Sequence, residues 1–105
     1  WNNHKHYADN ARTLGKLLLL ARRVVERGAG FVTVTTNFVW DMHADSNNAT
    51  VTEGMGYMGP PLDHAVSVFL DDLRQRGLED KVLLVACGEM GRSPKINKNG
   101  GRDHW

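Results

Sequence analysis

Cysteine is nearly absent from this sequence, since Cys87 is the single one among 105 residues. One thiol excludes an internal disulfide and a zinc site built from several cysteines. The apolar run at residues 82–87 contains this thiol, which favours a buried structural cysteine over a reactive one.

The sequence also lacks an excess of one charge and any long apolar run. Its 13 basic and 12 acidic side chains give a net charge of +1, which predicts no nucleic-acid partner and no binding to an anionic membrane. The apolar runs at residues 17–21 and 82–87 are far too short to cross a bilayer, so we expect no membrane span.

The length and the two ends of the chain predict a segment of a larger domain. A chain of 105 residues can hold one small core and not two. Tryptophan stands at both ends, although chain ends are usually exposed and poorly ordered. We therefore expect residues 1–105 to be one segment whose fold is completed by the remainder of a parent chain.

Hydrophobic periodicity predicts a helix and then a strand in the first part of the chain. Apolar side chains recur at helical spacing over residues 9–26, with Asp9 or Asn10 as the N-cap and Gly28 as the stop. Basic residues, Arg22 among them, take the opposite side of this helix. Residues 31–36 are rich in β-branched side chains and predict a strand.

A second helix and a second strand follow. Residues 44–59 predict a loop, after which Pro60 and Pro61 open an amphipathic helix that ends at Gly77. Its charged residues, including Asp72, are predicted to form a solvated face. Residues 81–87 are nearly all apolar, as expected for a strand buried on both faces of a parallel sheet.

This order of elements predicts the α/β class. The expected architecture is a partial doubly wound layer of helix, strand, helix and strand, followed by a polar loop. Two strands do not make a stable sheet, so partner strands would come from sequence outside this segment. Ligands of open α/β sheets bind beyond the carboxyl ends of the strands, where both predicted strands are followed by polar residues.

Asp41 and His43 come after the first predicted strand. In an extended backbone, residues two apart point to the same side, so this carboxylate and imidazole can converge on a zinc, manganese or iron ion. The same spacing is frequent by chance, and a hydrogen-bonded loop pair without metal is the alternative.

Glu89 comes directly after the second predicted strand. A carboxylate at the end of a buried strand is costly unless it is paired or bound to a cation. Arg92 can be its ion-pair partner. Alternatively, Glu89 is a metal ligand and Arg92 donates hydrogen bonds to a phosphate or sulfate group.

Two glycines precede Arg102, Asp103 and His104 near the end of the sequence. Glycine allows the backbone to approach a ligand closely. His104 is a candidate ligand or general acid–base, with Asp103 as a co-ligand or orienting group and Arg102 as an anion donor. A tail without function is the alternative, but the aromatic residue at its tip favours a function.

Trp40, Asp41 and His43, together with residues 88–105, closely resemble a large bacterial family catalogued as domain of unknown function 1501. Its members are often labelled sulfatase-like, and the family is placed in the alkaline phosphatase superfamily. The resemblance extends over essentially the whole sequence, as the C-terminal portion of a much longer protein. It implies a doubly wound α/β fold with a two-metal hydrolase site at the strand ends, in a protein that is exported to the periplasm or the cell exterior.

The resemblance also implies which residues hold metal. Asp41 and His43 match the first ligand pair, Glu89 the acidic ligand at the strand end, and His104 the final histidine; Asp103 matches less well. Phosphatases and sulfatases of that superfamily have Asp-His where this sequence has Glu89 and Met90, so one ligand is missing here. Their nucleophile lies near the start of the full domain, outside this sequence.

Two functions remain open at this point. The first is a segment of a metal-dependent hydrolase that acts on phosphate or sulfate esters of small molecules or glycans. Its divalent ion would be zinc, manganese, iron or calcium, and the isolated segment is expected to be inactive. The second is a non-catalytic relative with a ligand-binding or structural role, which the missing strand-end ligand favours.

Overall fold

The computed structural model of the protein describes residues 13–35 and 40–105. Two helices lie in these ranges, α1 over Leu14–Glu26 and α2 over Val51–Gln75, and they pack against each other. Neither helix in this part of the chain is long and apolar enough to cross a membrane, as the short apolar runs predicted.

Helix α1 ends where the sequence predicts. Gly28 has a φ of +98°, a left-handed conformation that glycine adopts without steric cost, and its N–H donates to the carbonyl of Val25 at 2.9 Å. Leu14, Leu18 and Ala21 form the buried stripe of the helix. The predicted N-caps Asp9 and Asn10 lie outside the described residues.

Helix α2 begins well before Pro60, so the loop predicted over residues 44–59 is wrong from Val51 onward. Thr50 caps the helix, because its hydroxyl accepts a hydrogen bond from the N–H of Glu53 at 3.1 Å. A threonine followed three residues later by a glutamate is the signature of a capping box. Pro60 and Pro61 therefore lie inside the helix, where each removes one backbone donor.

The predicted α/β layer is absent from the part of the chain that the structure describes, so the predicted fold class is wrong. Residues 31–35 and 82–87 run without strand pairing, and the β geometry of the described residues is one isolated antiparallel bridge between Arg92 and His104. A strand requires a partner for its backbone groups, and these segments instead pack their side chains onto the helices. The described architecture is all-α, with two helices and extended connections.

The side chains of these unpaired segments alternate between the helices and solvent. Val34, Val82 and Leu84 pack against the buried residues of α1 and α2, whereas Phe31 and Leu83 are 87% and 86% exposed. Cys87 is exposed as well, so the prediction of a buried thiol is wrong. The reason is the same in each case: within residues 13–35 and 40–105, no sheet covers the outer side of these segments.

Two apolar clusters hold the described structure together. The first, the interhelix core, is formed by buried side chains of both helices, which are Leu14, Leu18, Ala65, Phe69 and Leu73. The second, the loop core, consists of Met42, Ala49 and Met58. The interhelix core joins α1 to α2, and the loop core fixes residues 40–50 to the first half of α2.

Arg22 is buried between the helices, with 6% of its side chain exposed, although its position on the basic side of α1 predicts exposure. Its Nε donates to Asp72 at 2.8 Å, and its Nη1 donates to Glu26 at 2.5 Å. Arg76 donates to the other oxygen of Asp72, also at 2.8 Å. Hydrogen bonding from Arg76 lowers the pKa of Asp72; partial burial opposes this, and the charge of Arg22 adds to the lowering.

Replacing Asp72 by asparagine is expected to lower the free energy of unfolding at neutral pH. The pKa of Asp72 is lower in the folded protein than in the unfolded chain. Its carboxylate therefore stabilises the fold fully above the unfolded pKa of about 3.9 and loses this effect as pH falls through the folded value. Urea unfolding of both proteins from neutral to strongly acidic pH measures the difference, which should shrink in that window.

The control for this experiment is Asp63→Asn, which removes an exposed carboxylate from the same helix. It should leave the free energy of unfolding at neutral pH nearly unchanged. A difference between wild type and Asp72→Asn that stays constant down to strongly acidic pH would contradict the assignment.

Candidate metal centre

Asp41 and His43 project together from the loop that precedes α2. Met42, between them, is 7% exposed and belongs to the loop core. A side chain added to Gly54 would come within 2.7 Å of the Met42 sulfur, so the glycine makes room for this anchor. Because Met42 points inward, its two neighbours point away from α2 and lie side by side.

The C-terminal loop brings His104 to the same place. The N–H of Arg102 donates to the carbonyl of Met42 at 2.7 Å, and the N–H of Ser93 donates to the carbonyl of Asp103 at 2.8 Å. The antiparallel bridge between Arg92 and His104 closes this arrangement. Two loops that are about 60 residues apart in sequence therefore share one backbone hydrogen-bond network.

Four side chains meet at one carboxylate oxygen. Oδ1 of Asp41 lies 2.5 Å from Nη1 of Arg92 and 3.1 Å from both Nδ1 of His43 and Nε2 of His104. The two imidazole rings stand edge to face, with centroids 4.7 Å apart. We call these four residues, Asp41, His43, Arg92 and His104, the carboxylate cluster.

Asp41 is the electrostatic centre of the carboxylate cluster. Its side chain is 24% exposed, and this burial by itself raises the pKa of the carboxyl group. Hydrogen bonds from His104 and Arg92 outweigh that effect, so the pKa of Asp41 lies below its ordinary value. The group is therefore a carboxylate at neutral pH, as a metal ligand must be.

The two ring nitrogens of His43 face different polar groups. Nη1 of Arg92 lies 3.3 Å from Nδ1 of His43, and a guanidinium can only donate. Oδ1 of Asp41 lies 3.1 Å from the same nitrogen. Nε2 of His43 faces the Asp45 carboxylate at 3.9 Å, the kind of partner that orients metal-binding histidines.

The donor set fits a divalent transition metal. One oxygen of Asp41 and one nitrogen each of His43 and His104 lie within 4.8 Å of one another. Ligand bonds of about 2.0–2.2 Å place neighbouring ligand atoms roughly 3 to 3.5 Å apart. The two separations of 3.1 Å from Asp41 fall in that range.

A family model described as "Protein of unknown function (DUF1501)" matches residues 2–105. The chain belongs to the DUF1501 family. No protein in the comparison with curated proteins and no solved structure matches it.

Asn97 is a positioning residue of this DUF1501 chain that sequence reasoning did not select. Its amide nitrogen donates to the carbonyl of His43 and to Asp103, both at 2.9 Å. Its amide oxygen accepts from the N–H groups of Asn99 and Gly101. The signal was present in the sequence, since asparagine near glycines is typical of loops in which the side chain satisfies backbone groups.

Arg102 and Asp103 face the loop backbone and not the centre of the carboxylate cluster. The Nε of Arg102 donates to the carbonyl of Ser93 at 2.6 Å, and Nη2 donates to that of Arg92 at 3.2 Å. Asp103 accepts the hydrogen bond from Asn97. Both residues therefore hold the C-terminal loop in place. The hydrogen bonds of these two side chains do not include Asp41, so their predicted roles as anion donor and co-ligand stay predictions.

Glu89 lies outside the carboxylate cluster. Its side chain is exposed, and among the described residues the group that could share an ion contains Asp41, His43 and His104 without it. The ion-pair partner of Arg92 is Asp41, not Glu89 as one reading of the sequence predicts. A ligand role for Glu89 stays a prediction.

A cavity of about 650 Å³ lies elsewhere, between the two helices. Its lining is mostly apolar and includes Leu18, Pro60 and Phe69, with His64 and Asp72 as polar members. None of the four residues of the carboxylate cluster lines it. His64 is exposed on α2, as expected for a residue of the helix surface.

Proposed function

We propose that this DUF1501 chain supplies a divalent-metal site to a hydrolase that acts on phosphate or sulfate esters. The observation that carries the proposal is the convergence of Asp41, His43 and His104, whose ligand atoms lie within 4.8 Å of one another. These residues come from two loops far apart in sequence, and each loop is fixed by its own core contact or hydrogen-bond network. The resemblance to sulfatase-like proteins supplies the substrate class.

Zinc, manganese and iron suit this donor set better than calcium does. Two imidazole nitrogens and one carboxylate oxygen are ligands that transition metals prefer. Calcium takes six to eight oxygen ligands, typically carboxylates, carbonyls and water. We therefore narrow the metals predicted from the sequence to the first three.

Each residue of the carboxylate cluster has a role in this proposal. Asp41, His43 and His104 would hold the ion, which supplies a Lewis acid and lowers the pKa of a bound oxygen nucleophile. His104 is 49% exposed and marks the side from which an ester approaches. Arg92 offers a planar guanidinium to the anionic group, while Asn97, Arg102 and Asp103 keep the two loops in register.

A second candidate function is a structural or ligand-binding role without metal. Arg92 already neutralises Asp41 at 2.5 Å, and backbone hydrogen bonds already join the surrounding loops. A charge-balanced cluster of this kind is stable without an ion. It would serve to join the loops or to bind an anion through Arg92.

Elemental analysis of the purified protein by mass spectrometry is expected to find about one transition-metal ion per chain at the three-ligand site. Asp41→Asn keeps the size of the side chain and removes its charge. We expect it to weaken metal binding by about tenfold or more, since a carboxylate ligand is replaced by a neutral amide. The control is Asp63→Asn, which removes an exposed carboxylate of α2 and should leave metal content unchanged.

Hydrolysis of p-nitrophenyl phosphate and p-nitrophenyl sulfate by the full-length protein then tests the reaction. Activity that falls together with metal content in Asp41→Asn would support the proposal. Wild-type protein without metal, or with metal content that Asp41→Asn leaves intact, would favour the structural or ligand-binding function.

A further inference from the structure

Arg92 stands against two proposed metal ligands at once. Its Nη1 lies 2.5 Å from Oδ1 of Asp41 and 3.3 Å from Nδ1 of His43. Because a guanidinium carries donors only, the Asp41 oxygen accepts from it. A metal ion bound through Oδ1 of Asp41 would need the same carboxylate oxygen.

The guanidinium and a divalent ion therefore compete for one position. Two cations that share a carboxylate oxygen and an imidazole nitrogen would lie within a few ångströms of each other, and their repulsion would be strong in a site this shielded from water. Asp41 and Arg92 are only 24% and 20% exposed. One of the two cations must leave for the other to bind.

The side chain of Arg92 can leave while its backbone stays. The carbonyl of Arg92 accepts from Arg102 at 3.2 Å, and the residue forms the bridge to His104. Its Nη2 already contacts the carbonyl of Trp40 at 3.3 Å, a contact at the exposed edge of the cluster. A displaced guanidinium would thus remain beside the ion, with its donors free for another acceptor.

We propose that Arg92 is an internal counter-cation that occupies the metal position until a divalent ion displaces it, and that the displaced guanidinium then binds the phosphate or sulfate group of the ligand. This inference rests on the proposed function and adds a regulation to it. Metal binding and anion binding become coupled, because the same event loads the ion and releases the donor. If Arg92 only oriented Asp41 for the metal, replacing Arg92 would weaken metal binding instead of strengthening it.

The test is the affinity for Zn²⁺ of wild type, Arg92→Gln and Arg74→Gln, measured by competition with a chelating dye. Arg92→Gln is expected to bind Zn²⁺ about tenfold more tightly, since a competing cation at ion-pair distance is gone. Arg74→Gln removes the same charge from an exposed position on α2, where the side chain is 69% exposed, and should not differ from wild type. Inorganic phosphate should bind the Zn²⁺-loaded Arg92→Gln protein about tenfold more weakly than loaded wild type.

The outcomes separate this inference from the proposed function. If Asp41→Asn weakens Zn²⁺ binding but Arg92→Gln leaves it unchanged or weakens it too, the metal site stands and the counter-cation is refuted. If no Zn²⁺ binds to wild type or to either variant, both proposals fall. Binding to Arg92→Gln alone would support the counter-cation, because it would show that the guanidinium excludes the ion.

A second measurement needs no variant. It tests the displacement of Arg92 by the metal ion even if Arg92→Gln does not fold. Phenylglyoxal labels accessible arginines, and peptide mass spectrometry reads each one separately. In wild-type protein, labelling of Arg92 should rise at saturating Zn²⁺ while labelling of Arg74 stays constant. Labelling of Arg92 that falls or does not change on addition of Zn²⁺ would overturn the inference.

Discussion

Replacing Gly101 by alanine is expected to weaken binding at the proposed metal site by about 100-fold, the upper range for the loss of a group that supports metal ligands. A Cβ atom at this position would overlap the carbonyl carbon and oxygen of His43 and come within 2.6 Å of the backbone nitrogen of Ala44. Backbone atoms cannot rotate away, so the two loops must separate. His43 and His104 would then no longer reach Asp41 together.

The two helices should survive this substitution, because the interhelix core lies apart from the contact between Gly101 and His43. The far-ultraviolet circular dichroism spectrum should therefore match that of wild type, while the affinity for Zn²⁺ falls. Gly91→Ala is the matched control, since a Cβ atom there meets Trp105 at an ordinary 3.7 Å. Gly101→Ala protein with wild-type affinity would show that the contact between the loops does not position the proposed metal ligands.

Replacing Leu73 by alanine is expected to lower the free energy of unfolding by about 2–5 kcal/mol. The side chain is 2% exposed and joins Phe69 of the same helix to Leu14 and Leu18 of α1. The extended residues Val82 and Leu84 also pack on this core, so a cavity at Leu73 would loosen three parts of the chain at once. Urea unfolding followed by circular dichroism measures the loss.

Leu70→Ala is the control for this prediction, because the same chemical change is made on the same helix where the side chain is 46% exposed. Its effect should stay within about 0.5 kcal/mol, as is usual for surface positions. Equal losses from the two substitutions would mean that Leu70 is covered in the folded protein to the same degree as Leu73. The all-α core described above would then be incomplete.

The helices show which parts of this fold the local sequence predicts. The end of α1 at Gly28 follows from one residue that tolerates a positive φ. The predicted start of α2 at Pro60 is wrong, because the helix begins directly after its cap at Thr50. Residues 51–59 are helical since Gly54 and Met58 pack against Met42, a tertiary contact that no local pattern reports.

The extended segments show where sequence patterns mislead. Residues 82–87 have the composition of a strand buried on both faces, yet Leu83 and Val85 are exposed and no strand of the described residues pairs with this segment. A strand is defined by its partner, and the partner is not encoded in the segment itself. Cys87 is exposed for the same reason, because no strand of the described residues covers the outer side of its segment.

Some features of the candidate site also follow from the sequence, and others depend on the tertiary structure. The types of residue that can hold metal, and the shared direction of Asp41 and His43, followed from the sequence because residues two apart in an extended backbone face the same side. The ion-pair partner of Arg92 and the role of Asn97 did not follow. Arg92 pairs with Asp41 and not with its sequence neighbour Glu89, and Asn97 bridges His43 and Asp103 across two loops.

By itself, then, the sequence determined the family, the two amphipathic helices and the residues with ligand chemistry, since these depend on composition, motif and short-range spacing. The tertiary structure decided which of those residues meet. Contacts between residues about 60 positions apart, such as that of Asp41 with His104, depend on Met42 in its core and on Gly101 against the backbone of His43. Such contacts arise from the packing of the whole chain, which is why no local spacing predicts them.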